Sequence, residues 1–304
     1  MISVIVCTYN RAAFLKTCLE SLLTQSVATE LFEVVVVNNN SNDTTAEVAA
    51  LFQSEFPRFV YVEESWQGLS YARNAGVLAA TGDWVAFLDD DAVARTNWVA
   101  KLVETSTKGD FDVFGGVYTA WHALRERPKW FSPEWETNVA VASEYSVLKE
   151  GYPSGGNCAY RRALLLEGEG FPTNLGMKGN GTAYGEETAV IDRLRKNGAV
   201  VGFVPDMIID HCVIDRKYSL GWRLKRSFAT GRDTASLWKE NSAVDLAKPV
   251  IKCVYYLLSC PLKVVWLFLA RRDYYWQNAV LDLFSGIMLN LGRIAGGIQS
   301  RFQG

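Results

Sequence analysis

Three consecutive carboxylates, Asp89-Asp90-Asp91, follow the apolar run Trp84 to Leu88. Three acids at the mouth of a buried strand repel one another unless a cation sits among them, and oxygen ligands of this kind suit Mg2+ or Mn2+. A plainer role fits the same residues: one aspartate caps a helix beginning near Asn97 and the others are solvated. Two further polar clusters follow apolar runs. Asn38-Asn39-Asn40-Ser41-Asn42-Asp43 comes after Glu33 to Val37, and Thr8-Tyr9-Asn10-Arg11 comes after Ser3 to Cys7. No glycine occurs before Gly68. A dinucleotide-binding or P-loop turn needs early glycines so that backbone amides can approach phosphate, which argues against both. Phosphate binding, if present, falls to side chains and a cation.

The elements that must position these residues alternate. Buried parallel strands are predicted at Ser3 to Cys7, Glu33 to Val37, Phe59 to Val62, Trp84 to Leu88 and Ala199 to Val204. Between them Phe14, Leu15, Cys18, Leu19, Leu22 and Leu23 recur at helical spacing, as do Val48, Leu51, Phe52 and Phe56. The series predicts an α/β fold, a mostly parallel sheet flanked by helices, with ligands at the carboxyl ends of the strands.

A chain of 304 residues with 49% hydrophobic and 21% charged residues buries its own core and is not a disordered protein. Its net charge of -2 conceals a split: residues 1–210 carry 17 basic and 27 acidic side chains, and residues 211–304 carry 14 and 6. No nucleic-acid partner is expected, whereas a basic, aromatic-rich tail is drawn to anionic headgroups. Six cysteines are scattered without zinc or redox spacing, so reduced thiols are expected. The start, Met1-Ile2-Ser3-Val4, lacks a basic n-region and predicts no signal peptide.

The segments Val4-Ile5-Val6-Cys7-Thr8-Tyr9-Asn10-Arg11, Val36 to Asp43, Gly68-Leu69-Ser70-Tyr71-Ala72-Arg73-Asn74-Ala75-Gly76 and Phe87-Leu88-Asp89-Asp90-Asp91 resemble, in order and spacing, the family 2 glycosyltransferases of the GT-A fold. The resemblance covers about the first 210 residues. It implies a nucleotide-diphosphate-sugar donor, a divalent cation (Mn2+ or Mg2+) and inversion at the anomeric carbon. Carried over by position, Thr8, Tyr9, Asn10, Arg11, Asn39 and Ser41 would hold the nucleoside, and Arg73 would contact donor phosphate or ribose. Many relatives carry an acid at Asn38 or Asn39, so the base is left open among uracil, thymine and guanine. Asp89 to Asp91 match the D-x-D signature, which implies Asp91 as principal metal ligand, with Asp89 and Asp90 touching ribose or bridging to the cation.

Pro153-Ser154-Gly155-Gly156-Asn157-Cys158-Ala159-Tyr160-Arg161-Arg162 resembles the family's small-residue turn beneath the donor sugar, with close backbone approach at Gly155 and Gly156 and a sugar hydroxyl contact at Asn157. Gly185-Glu186-Glu187-Thr188 resembles its E-D pair opening a helix, here predicted to run to Asn197 and end at Gly198. Glu187 takes the position of the catalytic base, with Glu186 as the alternative; both acids would also suit a helix N-terminus. His211 matches the place of a third metal ligand after the last strand. His122, among Trp121, Arg125, Arg127, Lys129 and Trp130, belongs either to an acceptor wall or to a plain surface loop.

From Cys212 onward the character changes. Arg216, Lys217, Arg223, Lys225, Arg226, Arg232 and Lys239 punctuate a helical pattern, and apolar stretches Cys253 to Ala270 and Ala279 to Leu291 follow, separated by Arg271-Arg272 and Tyr274-Tyr275-Trp276. A spanning helix needs about 20 apolar residues. The first stretch falls short and contains Pro261 and Lys263, so helices in the membrane interface or one leaflet are expected, with a helical subdomain packed on the catalytic core or on a dimer partner as the alternative. The whole reads as a catalytic domain over 1–212 and a helical membrane-associating region over 213–304. Expected partners are a nucleotide-sugar donor, a glycan or polyprenyl-linked acceptor and a membrane surface at its cytoplasmic face. A nucleotidyltransferase, or a non-catalytic nucleotide-sugar-binding protein, is the alternative.

Overall fold

Each expected strand forms, most of them a residue or two longer than the apolar run that announces it. A computed structural model describes residues 1–132, 134–138, 142–177, 185–235 and 243–302; Lys239 lies outside them. The order is β1 (Ile2–Thr8), α1 (Ala12–Leu23), β2 (Phe32–Asn38), α2 (Thr45–Phe52), β3 (Phe59–Glu63), α3 (Leu69–Ala79), β4 (Trp84–Leu88), β5 (Ala92–Ala94), α4 (Trp98–Lys108), β6 (Val113–Trp121), β7 (Ser146–Val147), β8 (Asn157–Arg161), α5 (Arg162–Glu167), α6 (Glu186–Lys196), β9 (Val201–Cys212), α7 (Leu220–Ala235), α8 (Ala243–Ala270) and α9 (Trp276–Phe302).

The sheet runs β3-β2-β1-β4-β8-β6-β9-β5, with β7 also on β9. Its first half is parallel, as expected for buried Val-rich runs. The second half is mixed: β8 is antiparallel to both β4 and β6, β6 is parallel to β9, and β5 and β7 run against β9. Alternate residues of β1 enter different cores. Val4 and Val6 pack with α1, α2 and α4, whereas Ile5 packs with α3, α5 and α6, so helices cover both faces. In register, Thr8 pairs with Asn38, Asn38 with Glu63, and Leu88 with Asn157, which brings the polar strand ends to one edge.

Two compact units divide the chain. One holds residues 1–121, 136–180 and 186–212; the other holds 122–135, 181–185 and 213–304. The second therefore takes in a segment, 122–135, that a linear division at residue 212 leaves out. In it His122 Nδ1 lies 2.6 Å from the Tyr218 hydroxyl and Arg223 stacks on Phe131 and Trp135. The six cysteines form no disulfide among the described residues.

Two helices of the second unit, Ala247–Ala270 and Trp276–Ile298, are long and apolar enough by length and composition to cross a membrane. The first is longer than the stretch read from the sequence, because its helix continues through Pro249 and Pro261.

Candidate active site

The acidic run is sorted by what surrounds it. Asp89 leaves the end of β4, and β5, only three residues long, pairs with β9 so that Ala92 lies opposite His211. The Cys212 amide donates to the Asp91 carbonyl at 2.8 Å, tying the two segments together. One ligand atom from each of Asp89, Asp91 and His211 then falls within a 4.8 Å cluster, with His211 Nε2 3.2 Å from Asp91 Oδ1 and 3.7 Å from Asp89 Oδ2. His211 lies within the last strand rather than beyond it, because β9 continues through Pro205 and Asp206 to Cys212. Asp90 is held apart. Its carboxylate takes a hydrogen bond of 2.8 Å from Arg11 Nη1, which also reaches Asp91 Oδ2 at 3.0 Å. Burial pushes the Asp90 carboxyl up to about 6, against the pull of Arg11. Arg11 is raised, chiefly by the Asp90 charge.

The donor set fits a divalent cation. Two carboxylates and an imidazole match the preferences of Mn2+, and of Mg2+ less closely because of the nitrogen. Space at the cluster is preserved by Gly156, since a Cβ there would overlap the Asp89 carboxylate. The preceding residue, Gly155, serves the neighbouring cluster: a Cβ there would lie 2.9 Å from Arg73 Nη2 and 3.1 Å from Glu187. Two consecutive glycines thus back onto both groups of acids.

Glu186 and Glu187 open α6, where the free amides of a first turn favour negative charge. Their stronger partner is Arg73 on α3. Its Nη1 lies 2.9 Å from Glu186 Oε1 and 3.6 Å from Glu187 Oε2, and its guanidinium faces the Phe87 and Phe171 rings. One arginine charge cannot balance two crowded carboxylates, and the two acids are shifted apart. Burial, with the Glu187 charge, lifts Glu186 well above the carboxylate range. Burial works to raise Glu187 too, but the Arg73 charge and a hydrogen bond from Glu186 hold it below. The two neighbours are thus shifted in opposite directions, buried Glu186 toward its neutral form and half-buried Glu187 toward its charged form.

Several residues expected to meet the donor are committed elsewhere. Arg73 pairs with the glutamates instead of standing open to a phosphate. Asn157 is fully buried: its Oδ1 accepts from Trp98 Nε1 at 2.7 Å, and its Nδ2 donates to the carbonyls of Val117 and Met207. It fastens β8 to its neighbours and is not available to a sugar hydroxyl. Asn39 donates to the carbonyls of Glu64 and Trp66 and accepts from the Gly68 amide at 2.8 Å, so its amide shapes the loop before α3. Asn10 and Ser41 join the loops after β1 and β2: the Asn10 amide donates to Ser41 Oγ, and Asn10 Oδ1 accepts from the Asn42 amide. Both Asn10 and Asn40 adopt left-handed φ, near 52° and 63°. Thr8 is buried at the end of β1, and Tyr9 is half-buried beside it.

Phe171 is the site residue the sequence did not announce. Asn74 on α3 clamps it, accepting from its amide at 2.7 Å and donating to its carbonyl at 2.9 Å. Its ring then walls Arg73. Asn74 was visible inside the Gly68 to Gly76 segment, but its partner, 97 residues away, carries no local signal.

The family model described as Glycosyl transferase family 2 matches residues 3–168. The succinoglycan biosynthesis protein ExoM of Rhizobium meliloti is 30% identical over 242 residues, 78% of this chain and 75% of that protein. The glucosyl-dolichyl phosphate glucuronosyltransferase of Haloferax volcanii is 28% identical over 76% of this chain and 75% of its own length. Among solved structures, a mannosyltransferase from Pyrobaculum calidifontis in complex with GDP-Man and Mn2+ covers 99% of this chain and is itself 87% covered, with TM-score 0.61 and 20% identity. TarS 1-349 of S. aureus in complex with UDP-GlcNAc covers 99% and is 92% covered, with TM-score 0.56 and 15% identity. These two likenesses establish the GT-A-like fold.

Proposed function

Because the chain belongs to glycosyl transferase family 2 and is a glycosyltransferase, we propose that it moves a hexose-type sugar from a nucleotide-diphosphate-sugar donor to a glycan or polyprenyl-linked acceptor, inverting the anomeric carbon, in surface polysaccharide assembly. Asp89, Asp91 and His211 would hold Mn2+ or Mg2+, whose charge would offset the negative charge that develops on the departing diphosphate. Glu187 takes the proton of the acceptor hydroxyl as that oxygen bonds to the anomeric carbon. The bond from that carbon to the diphosphate oxygen breaks on the opposite face, its electron pair leaving with the oxygen. Against burial, the Arg73 charge and the neighbouring Glu186 favour the charged form of Glu187 that this task needs. Residues Thr8 to Arg11 and the loop after β2 border the nucleoside end.

The observation that carries the reading is the meeting of Asp89, Asp91 and His211 next to a buried glutamate pair, both backed by Gly155-Gly156. Relatives in succinoglycan and dolichyl-phosphate chemistry support a surface-glycan or lipid-linked acceptor. The test is a thermal-shift screen of nucleotide sugars with and without Mn2+, followed by transfer assays with the best donor. A bound donor stabilises by mass action. We expect one donor to raise Tm only with the metal; no response from any donor, with no donor turnover, refutes the reading. The apolar helices and basic surplus of residues 211–304 support association with the cytoplasmic face of a membrane.

A further inference from the structure

Of the two long apolar helices, α8 buries a single seam. Cys260, Val264 and Leu267 are covered, and Tyr256 lies over Gly286 of α9. The opposite side is bare: Ile251, Leu258, Leu262, Val265 and Leu269 are 58 to 84% exposed and recur at helical spacing. Such a stripe needs a cover.

The geometry points to α8 lying lengthwise in one leaflet of an anionic membrane, with α9 as its bed and neither helix crossing the bilayer. This rests on the membrane association proposed above and adds its mode.

The course of α9 carries the argument. Near its start, Asn278 Nδ2 donates to the Trp130 carbonyl at 2.7 Å. Near its end, a Cβ on Gly292 or Gly296 would overlap the Phe228 or Arg232 carbonyl, so the α9 and α7 backbones touch there. From residue 278 to 296 is about 27 Å of helix, close to the whole hydrocarbon thickness of about 30 Å. A crossing α9 would pull its companions in with it. Those companions are polar: α7 carries Arg223, Lys225, Arg226, Arg232 and Asp233, and Arg223 is fixed on Phe131 and Trp135, 4.3 and 4.1 Å from their ring centroids. Charges at bilayer depth are strongly disfavoured. The direction of α8 follows, because it runs back antiparallel along α9: Cys253 Sγ meets the Ile287 carbonyl at 3.8 Å and Lys263 meets Asp282 at 3.8 Å.

Charge selects lipid over a second copy. Residues 211–304 carry 14 basic and 6 acidic side chains, so two such faces repel while an anionic surface attracts them. Lys263 within the apolar stretch is neutralised by Asp282, and the Tyr274-Tyr275-Trp276 turn offers headgroup anchors at the end of the hairpin.

The test uses the full chain expressed in bacteria, with Asp273→Cys at the hairpin turn and, separately, Leu78→Cys on the catalytic unit as reporter. A membrane-impermeant maleimide is applied to spheroplasts and to inverted vesicles, and labelling is read at each peptide by mass spectrometry. Both sites should be labelled from the same side; labelling from opposite sides overturns the in-plane placement. Recovery of the protein only in the soluble fraction refutes membrane association itself. In a second arm, Leu258→Asp, Leu262→Asp and Leu269→Asp together should lower binding to phosphatidylglycerol-containing vesicles at least tenfold with Tm unchanged. Undiminished binding, or a dimer by mass photometry without vesicle binding, overturns the assignment of this face.

Discussion

The aspartates at 89–91 and the glutamates at 186–187 are both crowded acids, and an arginine attends each group, yet the two are resolved differently. Arg11 is a quarter exposed and takes Asp90 while touching Asp91, leaving Asp89 and Asp91 turned toward His211. Arg73 is 4% exposed and lies against both glutamates, and burial with the surplus negative charge there pushes Glu186 toward its neutral form. In the first cluster solvent and an added cation can share the charge. In the second Glu187 keeps 22% exposure and Glu186 only 4%, and burial with the Arg73 charge shifts the two acids in opposite directions. Neighbouring side chains of one type acquire separate tasks from their surroundings alone.

Breaking the first cluster should have the largest effect. Asp91→Asn is expected to lower transfer by about 10³-fold or more, because the metal's charge stabilisation amounts to several kcal/mol, and to abolish Mn2+ binding by calorimetry. Asp90→Asn should keep that binding. Equal loss from both variants would erase the distinction drawn between the two aspartates.

The glutamate pair comes next. Glu187→Gln should slow transfer by about 10² to 10⁴-fold, the usual contribution of a general base, while donor binding measured by thermal shift persists. Glu186→Gln should cost less, since burial already holds Glu186 toward its neutral form. The reverse ranking would move the base to Glu186.

Stability separates the two arginines. Removing one partner of a buried pair costs about 3–5 kcal/mol, so Arg73→Met should shift the denaturant midpoint accordingly, with Arg73→Lys recovering part of it. A midpoint unchanged in Arg73→Met would place that pair with the weak, solvated ones. The smallest effect is expected for Arg11→Met. Arg11 is a quarter exposed, so water can replace part of what it gives Asp90 and Asp91, and loss of one nearby positive charge should raise affinity for Mn2+ alone by roughly 3 to 10-fold. Unchanged or weaker Mn2+ binding would show that Arg11 does not restrain the aspartates.

Much of the fold was legible, for identifiable reasons. The Val-rich runs of β1, β2 and β4 are buried on both faces, so their hydrophobicity is continuous. By contrast β8 lies inside the Pro153 to Arg162 segment that resembles a turn, and β6 carries no strand signal of its own. β8 opens with Asn157 and closes with Arg161, and β6 contains Gly115 and Gly116; polar and glycine residues hide a strand whose partners are distant. The extension of β9 to His211 was missed because Pro205 and Asp206 read as its end, although a strand tolerates proline at an irregularity, and the β6–β9 register shifts at Gly116.

The site divides along the same line. Which residue types gather at strand ends follows from the chain alone: the acids after β4, the asparagines after β2, the glutamates opening α6, and the opposite charge balance of the two ends. Whether each one is a ligand, a clamp or a proton holder does not. Asn39 and Asn157 look like ligand contacts in sequence and prove to be backbone fasteners, because a buried amide must spend its hydrogen bonds on whatever carbonyls the fold brings near. Glu186 and Glu187 are adjacent and chemically alike, and unequal burial together with an arginine from another helix shifts them in opposite directions. Composition and periodicity act locally, whereas desolvation and charge pairing depend on residues far apart in the chain, so those assignments waited for the tertiary structure.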